Sequence, residues 1–144
     1  MMRVTLLMLI GLQAALCCTV IQPSVKDAVK RAEIVFRGSV TEISDSAITF
    51  RVERVWKGHV PAVFSMPKVV WSCTPCMPGF YQGHVRTGAE LLVYARRTPG
   101  MDGTGYVPSP GSRTAPAQNA IEDFKKLGTG GPPTSDAIRR PAAR

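Results

Sequence analysis

The residues with the clearest potential for chemistry are four cysteines, arranged as an adjacent pair and as a pair separated by two residues. Cys17 and Cys18 lie near the N-terminus, and Cys73 and Cys76 lie at mid-chain. In an exported protein such cysteines form structural disulfides. Adjacent cysteines point in different directions, so we expect bridges between the two pairs. Each bridge would close a long loop, and the chain-entropy model gives about 4 kcal/mol of stabilisation of the folded state for such a bridge.

Two other uses of these cysteines are compatible with part of the pattern. Cys73 and Cys76, with Pro75 between them, have the spacing of thiol-disulfide oxidoreductases, in which a helix beginning at the motif lowers the thiol pKa. Here residues 77–79 are Met-Pro-Gly, which predicts no helix. Four thiolates can also hold structural zinc, but adjacent cysteines are a poor ligand pair and export favours oxidation. Structural disulfides are therefore the preferred interpretation.

The remaining residues form no recognised catalytic or metal-binding pattern. His59 and His84 are the only histidines, and neither lies in a ligand or nucleophile-base spacing. The acidic residues are dispersed, and the sequence contains no hydrolase or phosphate-loop motif. We therefore predict that the protein is not an enzyme, with no catalytic residue, no cofactor and no metal bound by the free protein.

An apolar leader precedes the first cysteines. Arg3 is followed by ~13 mostly apolar residues, which fits the roughly 7–15 of a signal peptide and falls short of the roughly 20 that span a bilayer. The sequence predicts a signal peptide over residues 1–17, with its end between 14 and 17, and no transmembrane span. We expect the protein to be either secreted or located in the periplasm or cell envelope.

The net charge of +8 suggests acidic partners. Acidic envelope or matrix components are therefore candidate ligands of the basic surface. Because the basic residues are scattered and aromatic residues are few, we do not expect nucleic-acid binding.

The segment after the leader reads as short strands with one helix on each side. Ser24 caps a predicted helix over residues 25–32, and Gly38 predicts a bulge or a bend in the first strand. The second helix has an apolar face of Ala117, Ala120, Ile121, Phe124 and Leu127 and ends at Gly128. The predicted strands cover residues 34–41, 47–55, 62–70, 90–95 and 106–107. This pattern favours a small, closed or partly closed antiparallel barrel, followed by a disordered Gly/Pro/Arg tail over residues 129–144.

An ordered series of segments resembles the tissue inhibitor of metalloproteinases (TIMP)/netrin-module family, particularly its small bacterial single-domain members. The series comprises a cysteine after the leader, AEIVFRGSV at 32–40, VERVWKG at 52–58 and GAELLVYA at 88–95. The resemblance covers about residues 18–128. It implies a mainly β domain, a five-stranded OB-like antiparallel barrel with short flanking helices.

The resemblance also implies an inhibitory wedge made of Cys18 and Thr19. In the animal inhibitors the α-amine and carbonyl of the first cysteine bind the zinc of a metalloprotease, and the next side chain enters the specificity pocket. A disulfide from Cys18 to Cys73 or Cys76 would hold the wedge rigid. Cleavage after Cys17 would expose this start and leave three cysteines. Cleavage after Ala14 would leave four, with two residues ahead of Cys17. A non-inhibitory interaction module and a Cys73/Cys76 oxidoreductase are the alternatives.

Overall fold

Strands dominate the structure of this chain. The computed structural model describes residues 21–72, 77–101 and 103–135. Of the described residues, 42% are in strands and 18% are helical, which confirms the predicted mainly β class. The elements in chain order are helix α1 (Val25–Arg31), strands β1 (Ile34–Ile43), β2 (Ala47–Lys57), β3 (Val63–Pro67), β4 (Val70–Trp71), β5 (Phe80–Tyr81), β6 (Glu90–Arg97), β7 (Tyr106–Pro108) and β8 (Ala115–Pro116), and helix α2 (Ile121–Leu127).

The main sheet is antiparallel and curls into a half-barrel, which is consistent with the predicted OB-like barrel. Its strand order is β3-β2-β1-β6-β7, and β8 also pairs with β6. The two outer strands, β3 and β7, approach each other. The rings of Phe64 and Tyr106 lie 6.1 Å apart, and the Thr104 hydroxyl donates a hydrogen bond to the Ser65 carbonyl at 3.0 Å. Strands β4 and β5 form a separate parallel pair.

The strands bury side chains on both faces of the curled sheet. Phe36, Phe50 and Leu91 point into the barrel interior, where aromatic rings pack edge to face. On the outer face Leu92 and Tyr94 pack beneath the two helices. Because β6 is covered on both sides, its residues 91–95 are all buried. This explains why the segment reads as a continuous apolar run rather than an alternating one.

Local sequence signals explain several of these elements. The Ser24 hydroxyl accepts a hydrogen bond from the Asp27 amide at 3.1 Å, so the predicted helix cap forms. The predicted bulge also forms, since the β1–β2 register shifts between Arg37 and Gly38. A Cβ at Gly38 would lie only 2.8 Å from the Arg51 carbonyl oxygen, so only glycine allows this close approach.

The structure differs from the sequence expectation in the second helix. Residues 117–119 form a 3-10 turn, and α2 begins at Ile121. Ile121, predicted to face the core, is exposed, whereas Asp123 is buried. The reason is that Asp123 has polar partners inside the fold, described below, that make its burial favourable.

The start of the predicted disordered tail lies against the barrel. Gly131 bridges to Val55, Thr134 bridges to Pro61, and the Trp56 indole donates to the Gly128 carbonyl at 2.9 Å. Residues 136–144 lie outside the described residues. In the part of the chain that the structure describes, no helix has the length and apolarity to cross a membrane.

Candidate functional site

The residues that the sequence singles out lie outside the described ranges. Cys17, Cys18 and Thr19 precede residue 21, and Cys73 and Cys76 fall in the gap between residues 72 and 77. The structure does describe the chain on the C-terminal side of the first group and on both sides of the second. These flanking segments are the described residues nearest in sequence to the predicted site.

A cavity of about 330 Å³ is lined by Trp71 and Gly79, which lie on either side of the gap between residues 72 and 77. Its aromatic wall consists of Trp71, Tyr81 and His84, with ring centroids 5.1 Å apart for the first pair and 4.8 Å for the second. Trp71 and Tyr81 hold this arrangement because they pair across the parallel strands β4 and β5. The opposite wall comes from the loop between β7 and β8, through Ser109, Gly111, Ser112 and Thr114.

A second, smaller groove adjoins this cavity and contains the start of the described chain. Pro23, Ala28 and Tyr94 line it together with residues 109–112. Ser109, Gly111 and Ser112 therefore border both depressions. We call the surface made by Pro23, Trp71, Tyr81 and residues 109–112 the N-terminal edge.

Arg113 connects the N-terminal edge to the buried outer face of the barrel. One guanidinium nitrogen, Nη1, donates to the Pro23 carbonyl oxygen at 3.0 Å. The Nε atom donates to Asp123 Oδ2 at 2.8 Å, and Nη2 binds the other carboxylate oxygen. The Tyr94 hydroxyl also donates to Asp123 Oδ2, at 2.8 Å. The carboxylate thus orients the guanidinium, and the guanidinium holds the backbone at Pro23.

The pKa directions follow from this geometry. Burial alone would raise the pKa of Asp123, but the hydrogen bonds from Arg113 and Tyr94 outweigh it, and the net pKa is lowered. Burial, reinforced by the hydrogen bond to Asp123, raises the pKa of Tyr94. The hydrogen bond to Asp123 likewise raises the pKa of Arg113. At neutral pH the pair is therefore fully ionised and the phenol is neutral.

The loop that carries Arg113 is itself fixed on the sheet. The Thr114 hydroxyl accepts a hydrogen bond from the Tyr94 amide at 2.9 Å and donates one to the Tyr94 carbonyl at 3.2 Å. Ser112 donates its hydroxyl to Thr114 at 3.1 Å. These side chains replace backbone partners that an irregular loop leaves unpaired, so the guanidinium starts from a well-defined position.

Sequence reasoning does not find this cluster. No sequence motif contains Arg113, and the apolar face predicted for the second helix does not include Asp123. The available signal was weak: one acidic residue in a helix, ten positions after an arginine. Nothing in that spacing indicates that Tyr94, on a separate strand, joins the two.

The N-terminal edge presents aromatic and apolar side chains next to a histidine. Burial lowers the pKa of His84, so its ring is neutral at physiological pH. Among residues 21–72, 77–101 and 103–135 there is no group of three His, Cys, Asp or Glu side chains that could hold a metal ion. Tyr81 is 39% exposed, and two further large apolar side chains close to the lining residues in sequence are also exposed: Ile21 at 90% and Met77 at 55%.

No model of a known protein family matches the sequence, and no curated protein matches it either. A function for this chain therefore rests on the N-terminal edge itself. The edge offers an anchored backbone at Pro23, aromatic faces at Trp71 and Tyr81, and exposed apolar groups beside them.

Proposed function

We propose that this chain is an exported, OB-like binding protein that inhibits a zinc metalloendopeptidase through Cys18 and Thr19. One observation carries the proposal: the chain following Cys18 and the strands flanking Cys73 and Cys76 border the same loop, residues 109–112. A wedge fixed by a disulfide needs this convergence, because a disulfide forms only between cysteines whose Cα atoms are about 4.4–6.8 Å apart.

Covalent reach supports the same arrangement. Cys18 precedes Pro23 by five residues, so an extended chain reaches at most about 17 Å from the anchored Pro23 carbonyl. Cys73 is two residues beyond Trp71, and Cys76 immediately precedes Met77. Both candidate partners of Cys18 are thus tethered to the wall of the cavity that adjoins the Pro23 groove.

The proposed mechanism uses a backbone amine and a carbonyl of this chain. With Cys18 as the mature first residue, its α-amine and carbonyl oxygen ligate the zinc ion of the target protease. Thr19 then enters the specificity pocket of that protease. A disulfide from Cys18 and the hydrogen bond that holds Pro23 limit the motion of the segment before binding. Less conformational entropy is then lost when the complex forms.

Exposed apolar side chains near the wedge supply contact area for a protease. Ile21 and Met77 flank the two cysteine-containing segments and are mostly exposed. Apolar groups of this kind, grouped around a binding segment, are typical of the buried centre of a protein interface. In the proposed complex these exposed side chains add apolar contact area to the wedge.

The decisive test is a panel of zinc metalloproteases assayed with the mature exported protein. The key variant carries one additional alanine before Cys18, which removes the α-amine from its ligating position. We expect inhibition to weaken by more than about tenfold, equivalent to about 1.4 kcal/mol of binding free energy. The matched control carries one additional alanine after Arg144 and should inhibit like the wild type. Equal inhibition by both variants, or none by the wild type, would overturn the proposal.

The basic surface favours a second candidate function, a non-inhibitory interaction module for acidic envelope or matrix components. Arg51 and Arg54 are exposed on β2, and Arg96 and Arg97 are exposed at the end of β6. Binding through these groups should weaken steeply with added salt and should not change when Cys18 is extended. The extended variant therefore separates the two functions.

For the oxidoreductase alternative, the described residues that follow Cys76 supply no helix that would activate a thiol. Residues 77–79 after Cys76 form bends, and strand β5 begins at Phe80. A helix beginning at the motif is what lowers the thiol pKa in such enzymes. The interpretation of Cys73 and Cys76 as bridging residues is therefore the one we propose.

A further inference from the structure

The residue that holds the N-terminal segment in place is Arg113. We propose that Arg113, oriented by Asp123, is a positioning residue that fixes the direction of the backbone at residues 21–23, from which the chain continues towards Cys18. This inference deepens the proposed function and rests on it only for its inhibitory consequence. The geometry that carries it is the pair of contacts made by one guanidinium, to the Pro23 carbonyl and to the Asp123 carboxylate.

The guanidinium is suited to this task because it is planar and forked. Its Nε and Nη2 atoms engage both oxygens of Asp123, which fixes the plane of the group. The remaining Nη1 then points in one direction only, towards Pro23. Pro23 reinforces the effect, since its ring fixes φ and leaves the segment few ways to pivot.

The partners of Asp123 make it an anchor that does not move with the segment. Its side chain is only 4% exposed and is also bound by the Tyr94 hydroxyl. Tyr94 lies in β6, a strand paired with β1, β7 and β8. The Pro23 backbone is therefore held, through Arg113 and Asp123, by a strand at the centre of the main sheet.

The contact at Pro23 also complements the helix cap next to it. Ser24 fixes the start of α1 through the Asp27 amide, and the Ala28 amide donates to the Ser24 carbonyl. The helix thus fixes the position of the chain after Pro23. Arg113 fixes the orientation of the Pro23 carbonyl, and with it the peptide that joins Pro23 to Ser24. Because Pro23 and Ser24 are held by different elements, the direction of the backbone between them is fixed. If only one of them were held, the chain could rotate about that point.

The informative variant is Arg113→Lys. A lysine keeps the positive charge beside Asp123, so the fold retains its ion pair. Its single ammonium lacks the fork that orients a third nitrogen towards Pro23. The matched control is Glu122→Gln, which breaks an exposed ion pair with Lys125 one residue from Asp123.

The first measurement is backbone NMR order parameters for Ile21, Gln22 and Ser24, without any protease. We expect values near 0.85, typical of rigid backbone, in the wild type and the control, falling below about 0.6 in Arg113→Lys. Unchanged order in Arg113→Lys, or low order already in the wild type, would overturn the positioning role. This measurement does not depend on whether the protein inhibits a protease.

The second measurement is inhibition of any protease that the wild type inhibits. We expect the inhibition constant to rise about tenfold in Arg113→Lys, as for loss of one charge-assisted hydrogen bond, and to stay within about twofold in Glu122→Gln. An unchanged constant in Arg113→Lys would overturn the inhibitory consequence. If the wild type inhibits nothing, the proposed function fails, while the order parameters still decide the role of Arg113.

Discussion

Asp123 has two roles that involve the same contacts. Its carboxylate orients Arg113 for Pro23, and it also neutralises a guanidinium whose side chain is only 20% exposed. Removing one partner of such a buried pair typically destabilises a protein by about 3–5 kcal/mol, because the other charge remains buried. A test of positioning must therefore keep the charges and change the shape, as Arg113→Lys does.

The lowered pKa of Asp123 predicts an acid-dependent loss of stability. Its folded-state pKa lies below the ordinary value because hydrogen bonds from Arg113 and Tyr94 outweigh the effect of burial. The stabilisation is therefore fully present above the unfolded pKa, near 4, and is lost as pH falls through the lower folded value. Urea unfolding between pH 7 and pH 2 measures this loss.

The comparison variant for this pH series is Asp123→Asn, which has no carboxyl to titrate at that position. We expect the difference in unfolding free energy between wild type and Asp123→Asn to shrink as pH falls below about 4. Glu122→Gln should show a weaker trend, because its ion pair with Lys125 is solvent-exposed. A constant difference for Asp123→Asn across the series would contradict the lowered pKa.

At the scale of elements, local signals predict the strands and fail where distant residues decide. Ile48, Phe50 and Val52 alternate with polar residues, and β2 forms as that pattern requires. The orientation of α2 was predicted wrongly at Ile121, because Asp123 is buried instead and the partners of its carboxylate come from a strand and a loop. The N-terminal edge was also missed, since Pro23, Trp71 and Ser109 are far apart in the sequence.

The segment after α2 behaves as part of the domain, which predicts a difference between two truncations. Residues 128–134 cover Trp56, through the Gly128 carbonyl and the close approach of Gly130, and they bridge to β2 at Val55. A chain ending at Gly128 should lose stability by about 1–3 kcal/mol, because it exposes apolar surface and unpairs backbone groups.

The control for this prediction is a chain ending at Ser135, which keeps every contact named above. We expect it to unfold like the full chain and to keep the same tryptophan emission. The shorter chain should show red-shifted emission, because Trp56 becomes more accessible to water. Equal stability and equal emission in the two truncations would show that residues 129–135 contribute nothing to the fold.

At the scale of the whole molecule, a barrel covered by two helices supports a single N-terminal edge. The outer face of β6 lies beneath the two helices, and the inner face fills the barrel. The loop between β7 and β8 then joins the start of the chain to the β4–β5 pair. The proposed inhibition at this edge requires that the mature chain begins at Cys18 and that Cys18 is bridged to Cys73 or Cys76.

The intact mass of the exported protein, before and after reduction and alkylation, tests both properties in one measurement. We expect the mature chain to start at Cys18 and to contain one disulfide from Cys18 to Cys73 or Cys76. Three cysteines would then remain, so alkylation without reduction should label one thiol and alkylation after reduction should label three. Peptide mapping of the unreduced protein would identify the partner of Cys18.

A start at Ala15 with two disulfides would contradict this expectation and remove the zinc-binding mechanism. Ala15, Leu16 and Cys17 would then precede Cys18, and its nitrogen would be an amide without a free electron pair for zinc. The N-terminal edge would keep its aromatic cavity and its exposed apolar side chains, because neither depends on a free amine. The protein would then be a disulfide-stabilised binding module whose partner contacts the surface around Trp71 and Tyr81.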